Sequence, residues 1–83
     1  MSESVKLYSL STCSHCKSAK SFLKECNIRF NYTDVDLLTG EERKSAIDNV
    51  KQVNPRCSFP TIIIGNTIII GFKENEIREA LGI

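Results

Sequence analysis

At 83 residues and a net charge of +1, the chain has room for one compact domain, 1–83, and no basic field to hold nucleic acid or an acidic membrane surface. Its 41% hydrophobic and 25% charged composition is ordinary for a globular protein, and no apolar run approaches the roughly 20 residues that cross a bilayer. The polar, acidic opening Met1-Ser2-Glu3-Ser4 argues against a signal peptide, so the four cysteines are expected in the reducing cytoplasm rather than as staples of a secreted scaffold.

Val5 to Leu10 reads as a first strand, ending at Ser11-Thr12. From Ser14 to about Asn27, Ala19, Phe22, Leu23 and Cys26 recur at helical spacing, with Lys17, Lys20 and Lys24 on the other side as a solvated face that would also steer an acidic partner. Thr12 is the expected N-cap, leaving Cys13 in the first turn and Cys16 one turn on. Ile28 to Val35 is rich in strand formers, Ile28, Phe30 and Tyr32 alternating with Arg29, Asn31 and Thr33.

Thr39 and Glu42 have capping-box spacing and open a second helix with an inward stripe of Ala46, Ile47, Val50 and Val53. Asn54-Pro55 stops it. Two triple-isoleucine runs, 62–64 and 68–70, flank Gly65-Asn66-Thr67 as the arms of a hairpin, and unbroken apolar runs suit strands covered on both faces. A last helix runs from about Lys73 to Leu81, with Ile77 and Leu81 four apart. The order β-α-β-α-β-β-α implies an α/β fold with one mixed four-stranded sheet flanked by helices. The end of the first strand meets the start of the first helix at Ser11 to Cys16, the kind of sheet edge where α/β sites form.

Cys13-Ser14-His15-Cys16 places two thiols one helical turn apart at a helix start. Helix-start amides and the helix dipole favour a thiolate at the first position, and such motifs lower its pKa from about 8.5 to about 7 or well below. Cys13 is therefore the expected nucleophile and Cys16 the thiol that resolves the mixed disulfide. Thr12, Ser14 and His15 flank the pair as modulators. An imidazolium or N–H of His15 near Cys13 would stabilise the thiolate and raise the reduction potential, whereas a solvent-exposed helix residue would do neither. The competing reading is a metal knuckle completed by Cys26, Cys57 or His15, but Cys26 shares the inward phase of Ala19, Phe22 and Leu23 and no second knuckle exists. The expected metal set is therefore empty, the only redox group being a Cys13–Cys16 disulfide.

Ser58-Phe59-Pro60 stands just before a strand, where proline is tolerated. With this junction, the Cys-Ser-His-Cys motif, Tyr32-Thr33-Asp34-Val35-Asp36 and the tail Gly71-Phe72-Lys73, nearly the whole chain resembles the glutaredoxin branch of the thioredoxin superfamily, most of all NrdH-type redoxins. The resemblance implies a thioredoxin-like fold, a cis Pro60 packed against the cysteines, and a Phe59 backbone that pairs with an extended substrate. Ser58, Phe59, Pro60 and Phe72 would then form a substrate-binding rim, ordinary core packing being the alternative for the two phenylalanines.

The implied activity is reduction of protein disulfides by a monomeric electron carrier. Its clients would be enzymes such as ribonucleotide reductase, and its electrons would come from a flavoprotein or an iron–sulfur, ferredoxin-linked reductase. Glutathione-using relatives usually carry a lysine where Ser11 stands, and a Gly-Gly with a nearby aspartate where Gly71, Phe72, Lys73 and Glu74 stand. Glutathione binding is thus expected to be weak or absent. NrdH-type redoxins commonly share the lysine, so the chain departs from them there too. A glutathione-dependent glutaredoxin and a metal or iron–sulfur module are the alternative readings. Cys57, three residues before Pro60, is a candidate third thiol or else a small loop residue.

Overall fold

A computed structural model describes residues 4–83; the reading of the opening as no signal peptide rests largely on residues 1–3, outside the described residues. The elements are β1 (Val5–Ser9), α1 (Ser14–Glu25), β2 (Asn31–Asp34), a 3₁₀ turn (Val35–Leu37), α2 (Gly40–Val53), β3 (Thr61–Ile64), β4 (Thr67–Ile70) and α3 (Glu74–Leu81). The expected order holds, with the 3₁₀ turn added. The sheet runs β2-β1-β3-β4. β1 pairs parallel with β2, from Lys6–Asn31 to Ser9–Asp34, and antiparallel with β3, from Val5–Ile64 to Tyr8–Thr61.

Alternation along β1 divides the core between the two faces. Val5 and Leu7 meet Ala19, Phe22 and Leu23 of α1, Ile77 of α3, and Ile62, Ile64 and Ile69 of the hairpin. On the other side Tyr8 packs with Val35 and with Ala46 and Val50 of α2, joined by the half-buried Ile47 and Ile63. Gly65, at φ 58, is the first of two loop residues between β3 and β4, a backbone that glycine adopts without strain.

Several sequence expectations about the elements need correction. The second strand is shorter than 28–35 and begins at Asn31; Tyr32 is exposed on β2, which is an edge strand of the sheet. The capping box at Thr39 does not form: Gly40 takes φ +58, so the first turn lacks the helical backbone that would bring its amides to the Thr39 hydroxyl. Only the first isoleucine run is covered on both faces; β4 is an edge strand, and Ile68 and Ile70 are exposed. Lys20 does not join a solvated face, since its ammonium is partly buried against Asp34.

The end of α1 carries a signal the periodicity does not register. Asn27, at φ 58, takes the left-handed position after the helix; its N–H donates to Lys24 O (3.0 Å) and that of Ile28 to Leu23 O (3.0 Å), a Schellman closure. Asparagine just after the last apolar position is the residue that would have announced it.

Candidate active site

The strand register gathers the candidate residues at one edge of the sheet. β1 and β2 both end there, β3 starts there opposite Tyr8, and β4 ends there opposite Thr61. That edge therefore carries Leu10–Cys16, Asp34–Asp36, Phe59–Pro60 and Gly71–Phe72.

Cys13 N donates to Leu10 O (3.2 Å), closing a tight turn between β1 and α1. Thr12 sits exposed in that turn and does not cap the helix. The N-cap is Cys13 itself, with an extended backbone (φ −82, ψ 121) and a sulfur that accepts from Cys16 N at 3.3 Å. Sulfur thus occupies the place of a capping oxygen, and a helix-start amide points at it. Cys13 is half-buried, Ser14 and His15 are exposed, and Cys16 is fully buried. Burial and the adjacent Cys13 push the Cys16 thiol up to about 12. All four cysteines are free thiols.

Two serine–aspartate clasps tie this edge together, one from the end of β1 to the end of β2 and one from the turn before α1 to the 3₁₀ turn after β2. Ser9, buried, donates its hydroxyl to Asp34 Oδ1, which also receives Lys20 Nζ at 2.8 Å. Ser11 donates its N–H to Asp36 Oδ1 (2.8 Å) and its hydroxyl to Asp36 Oδ2. Burial acts to raise the Asp34 carboxyl, but the bonds from Lys20 and Ser9 outweigh it and hold the group below the carboxylate range. The Ser11 bonds lower Asp36 likewise. Sequence reasoning missed both aspartates as site-forming groups, and it missed Asn54.

Asn54 is buried, and its Nδ2 donates to Ser58 O (3.2 Å), Ser58 Oγ (3.0 Å) and Thr61 Oγ1 (3.0 Å). This amide braces the loop from α2 to the Phe59–Pro60 bond, which is cis. Pro60 is buried, and its carbonyl accepts from Gly71 N at 2.8 Å. Phe59 and Phe72 are each half-buried on opposite faces; Phe72 meets Phe22 edge-on at 5.9 Å. Cys57 also adopts a left-handed backbone (φ 51) and packs against the α2-side core.

Cys26 caps the far end of α1 and packs on the core, a full helix length from Cys13. Among the described residues no group of three or more His, Cys, Asp or Glu is placed to share a metal ion. A groove of about 710 Å³ lined by Val5, Lys24, Ile28, Phe30 and Tyr32 lies at the opposite end of β1 from the cysteine pair.

A mixed four-stranded sheet between three helices, with a paired-cysteine turn at the head of its first helix, is the thioredoxin-like arrangement of dithiol proteins. The chain belongs to the glutaredoxin family, whose sequence profile matches residues 5–69. It is 34% identical over 77 residues to an uncharacterized glutaredoxin-like 8.6 kDa protein of the rubredoxin operon of Clostridium pasteurianum, covering 93% of this chain and 96% of that one. The crystal structure of Methanosarcina acetivorans methanoredoxin superposes with a TM-score of 0.92 at 47% identity, covering 96% of this chain and 85% of that chain. The Escherichia coli NrdH-redoxin shares the fold, with a TM-score of 0.75 at 20% identity over 90% of this chain and 91% of that chain. The protein is thus a glutaredoxin-like redox protein of thiol–disulfide oxidoreductase class.

Proposed function

We propose that the protein reduces protein disulfides through Cys13 and Cys16 and is itself reduced by a flavoprotein or ferredoxin-linked iron–sulfur reductase rather than by glutathione. The observation that carries this reading is the capping geometry: Cys13 Sγ receives a helix-start amide while Cys16 waits, buried, one turn on. The Cys13 thiolate attacks a client disulfide, one client sulfur leaves with the electron pair, and a mixed disulfide forms. Cys16 then attacks the Cys13 sulfur, the second client sulfur leaves with the electron pair, and the protein is left oxidised by two electrons, with a Cys13–Cys16 disulfide. No bound cofactor is required, and the carrier works as a monomer in a reducing cytoplasmic setting.

Asp36 supports the second half of the proposal. Its carboxylate engages both donors of Ser11, two residues before Cys13, so the approach to the nucleophile carries a negative charge rather than a cation for an anionic tripeptide. Phe59 supports the protein-client half. Among the described residues, hydrogen bonds within the chain engage Ser58 O and Pro60 O but not the Phe59 backbone, leaving it to pair with an extended client segment.

The test is a reduction assay on the oxidised protein, comparing millimolar glutathione with NADPH and a thioredoxin-reductase-type or ferredoxin-linked enzyme. The enzyme is expected to reduce it at least tenfold faster. Cys16→Ser is expected to leave clients, a ribonucleotide reductase among the candidates, covalently attached through Cys13. Equal reduction by glutathione overturns the choice of reductant, and activity retained in Cys13→Ser overturns the choice of nucleophile.

A further inference from the structure

Beneath the cysteine pair lies a charge network with no task in the scheme above. Lys20 follows Cys16 by four residues, which places the two side chains on one helix face about 6 Å apart at Cβ. Its ammonium is turned inward to Asp34 (2.8 Å), at side-chain exposures of 19% and 15%, and lies 4.4 Å from the Tyr32 ring centroid. Ser9 fixes Asp34 from below; Val5, Leu7 and Ser9 alternate onto the α1 face of the sheet, and Ser9 is the one at the cysteine end. A half-buried ion pair is a modest source of stability, because desolvation offsets part of its attraction, so its place beside the cysteine pair calls for a second reason.

We propose that Lys20, held by Asp34, is a positioning residue that lets the buried Cys16 give up its proton and close the disulfide. The inference rests on the reading of Cys16 as the closing thiol. In that step the Cys16 sulfur loses its proton and attacks Cys13. The bond from Cys13 to the client sulfur breaks, and that sulfur leaves with the electron pair and takes up one proton.

The thiolate needed on the way is disfavoured by burial and by Cys13, while Lys20 acts in the opposite sense. The groups facing it are Cys13 and Lys20 from α1, the backbone of Leu10 after β1 and, behind Lys20, Asp34 from β2. On this side of the sheet β3, β4 and α3 contribute the uncharged Ile62, Ile64, Ile69 and Ile77, and α3 adds one charged group, Arg78, whose guanidinium lies 5.1 Å from the centroid of the Phe22 ring, six residues along α1 from Cys16.

Two charges of opposite sign at increasing distance from one sulfur make a prediction that a scaffold role does not. Lys20→Gln leaves the Asp34 carboxylate unopposed and slows closure; Asp34→Asn leaves the ammonium unopposed and speeds it. The reaction of the reduced protein with an aromatic disulfide that releases a coloured thiolate reads both steps, the first release reporting Cys13 and the second reporting Cys16.

Expected are a roughly tenfold slower second release in Lys20→Gln and one several-fold faster in Asp34→Asn. The pH midpoint of that phase should move up in the first variant and down in the second. The first release should stay within twofold, and Lys20→Arg should behave as wild type. If both variants slow the second release alike, or neither moves it, the inference fails while the function stands. A wild-type protein with no second release sinks the reading of Cys16 and the inference with it.

Discussion

At the start of α1 a sulfur fills the capping position, and this makes one residue answerable to two measurements. Cys13 Sγ accepts from Cys16 N, so truncating it removes both the nucleophile and a helix cap. Serine restores an acceptor at the preferred residue type and alanine does not. Both Cys13→Ser and Cys13→Ala are expected to lose disulfide reduction, but serine should match or exceed the reduced wild type in urea unfolding while alanine falls about 1 kcal/mol below serine. Equal stabilities would show that the sulfur does not cap.

Asp34 supplies a pH dependence of definite sign. Burial raises its pKa, but the bonds from Lys20 and Ser9 prevail, and the folded value lies below the ordinary 3.8. A carboxyl depressed in the folded state contributes stability that is present above the unfolded pKa and lost as pH falls through the folded one. The urea midpoint of the wild type should therefore drop as pH falls below about 4 more steeply than that of Asp34→Asn, which lacks the titration. Parallel acid limbs would mean that the pair with Lys20 adds nothing.

Between elements, the loop from α2 to β3 depends on one side chain. Asn54 Nδ2 donates to Ser58 O, Ser58 Oγ and Thr61 Oγ1 from a buried side-chain amide, while the Asn54 backbone carbonyl accepts from Cys57 N at 2.8 Å. Asn54→Ala strips those acceptors of their donor and opens a small cavity, for a loss of about 2 kcal/mol or more. Asn54→Asp, nearly the same size, is expected to be at least as damaging, because it turns a donor into a buried acceptor facing other acceptors. Chemical denaturation of the pair checks this, and a mild Asn54→Asp would show that shape alone braces the loop.

The same loop marks the limit of the sequence. Periodicity located all three helices and four strands, because apolar spacing encodes which face is buried. The cysteine pair and Phe59–Pro60 were visible as short motifs. Asn54 read only as a helix stop, since its partners are set by how the loop folds back. Lys20 read as solvated because its neighbours at helical spacing are lysines, and only the register of β2 places Asp34 beneath it. The thiol cap at Cys13 was hidden because sulfur is not among the usual capping atoms.

At the scale of the molecule, the two sheet faces are unequally covered. α1 and α3 share one face, whereas α2 alone serves the other. Strands lie about 4.8 Å apart and a helix with its side chains is about 10 Å across, so one helix covers about two of four strands. α2 sits over the 3₁₀ turn, β1 and β3, which leaves the outward-pointing residues of β4 uncovered. That is why two chemically identical triplets have different fates, and no pattern within the triplets distinguishes them.

Substitution by threonine, which keeps the β-branch and removes apolar surface, should expose the difference. Ile68→Thr and Ile70→Thr, at sites 42% and 41% exposed, are expected to cost less than about 1 kcal/mol each in urea unfolding. Ile69→Thr, at a site 1% exposed, should cost about 3 kcal/mol, because it empties volume facing α3 and buries a hydroxyl. Ile62 and Ile64 of the first triplet should behave like Ile69, both being buried in the same cluster. If Ile68 or Ile70 proved as sensitive as Ile69, something other than α2 would have to cover the outer strand, and the one-helix argument for that face would be wrong.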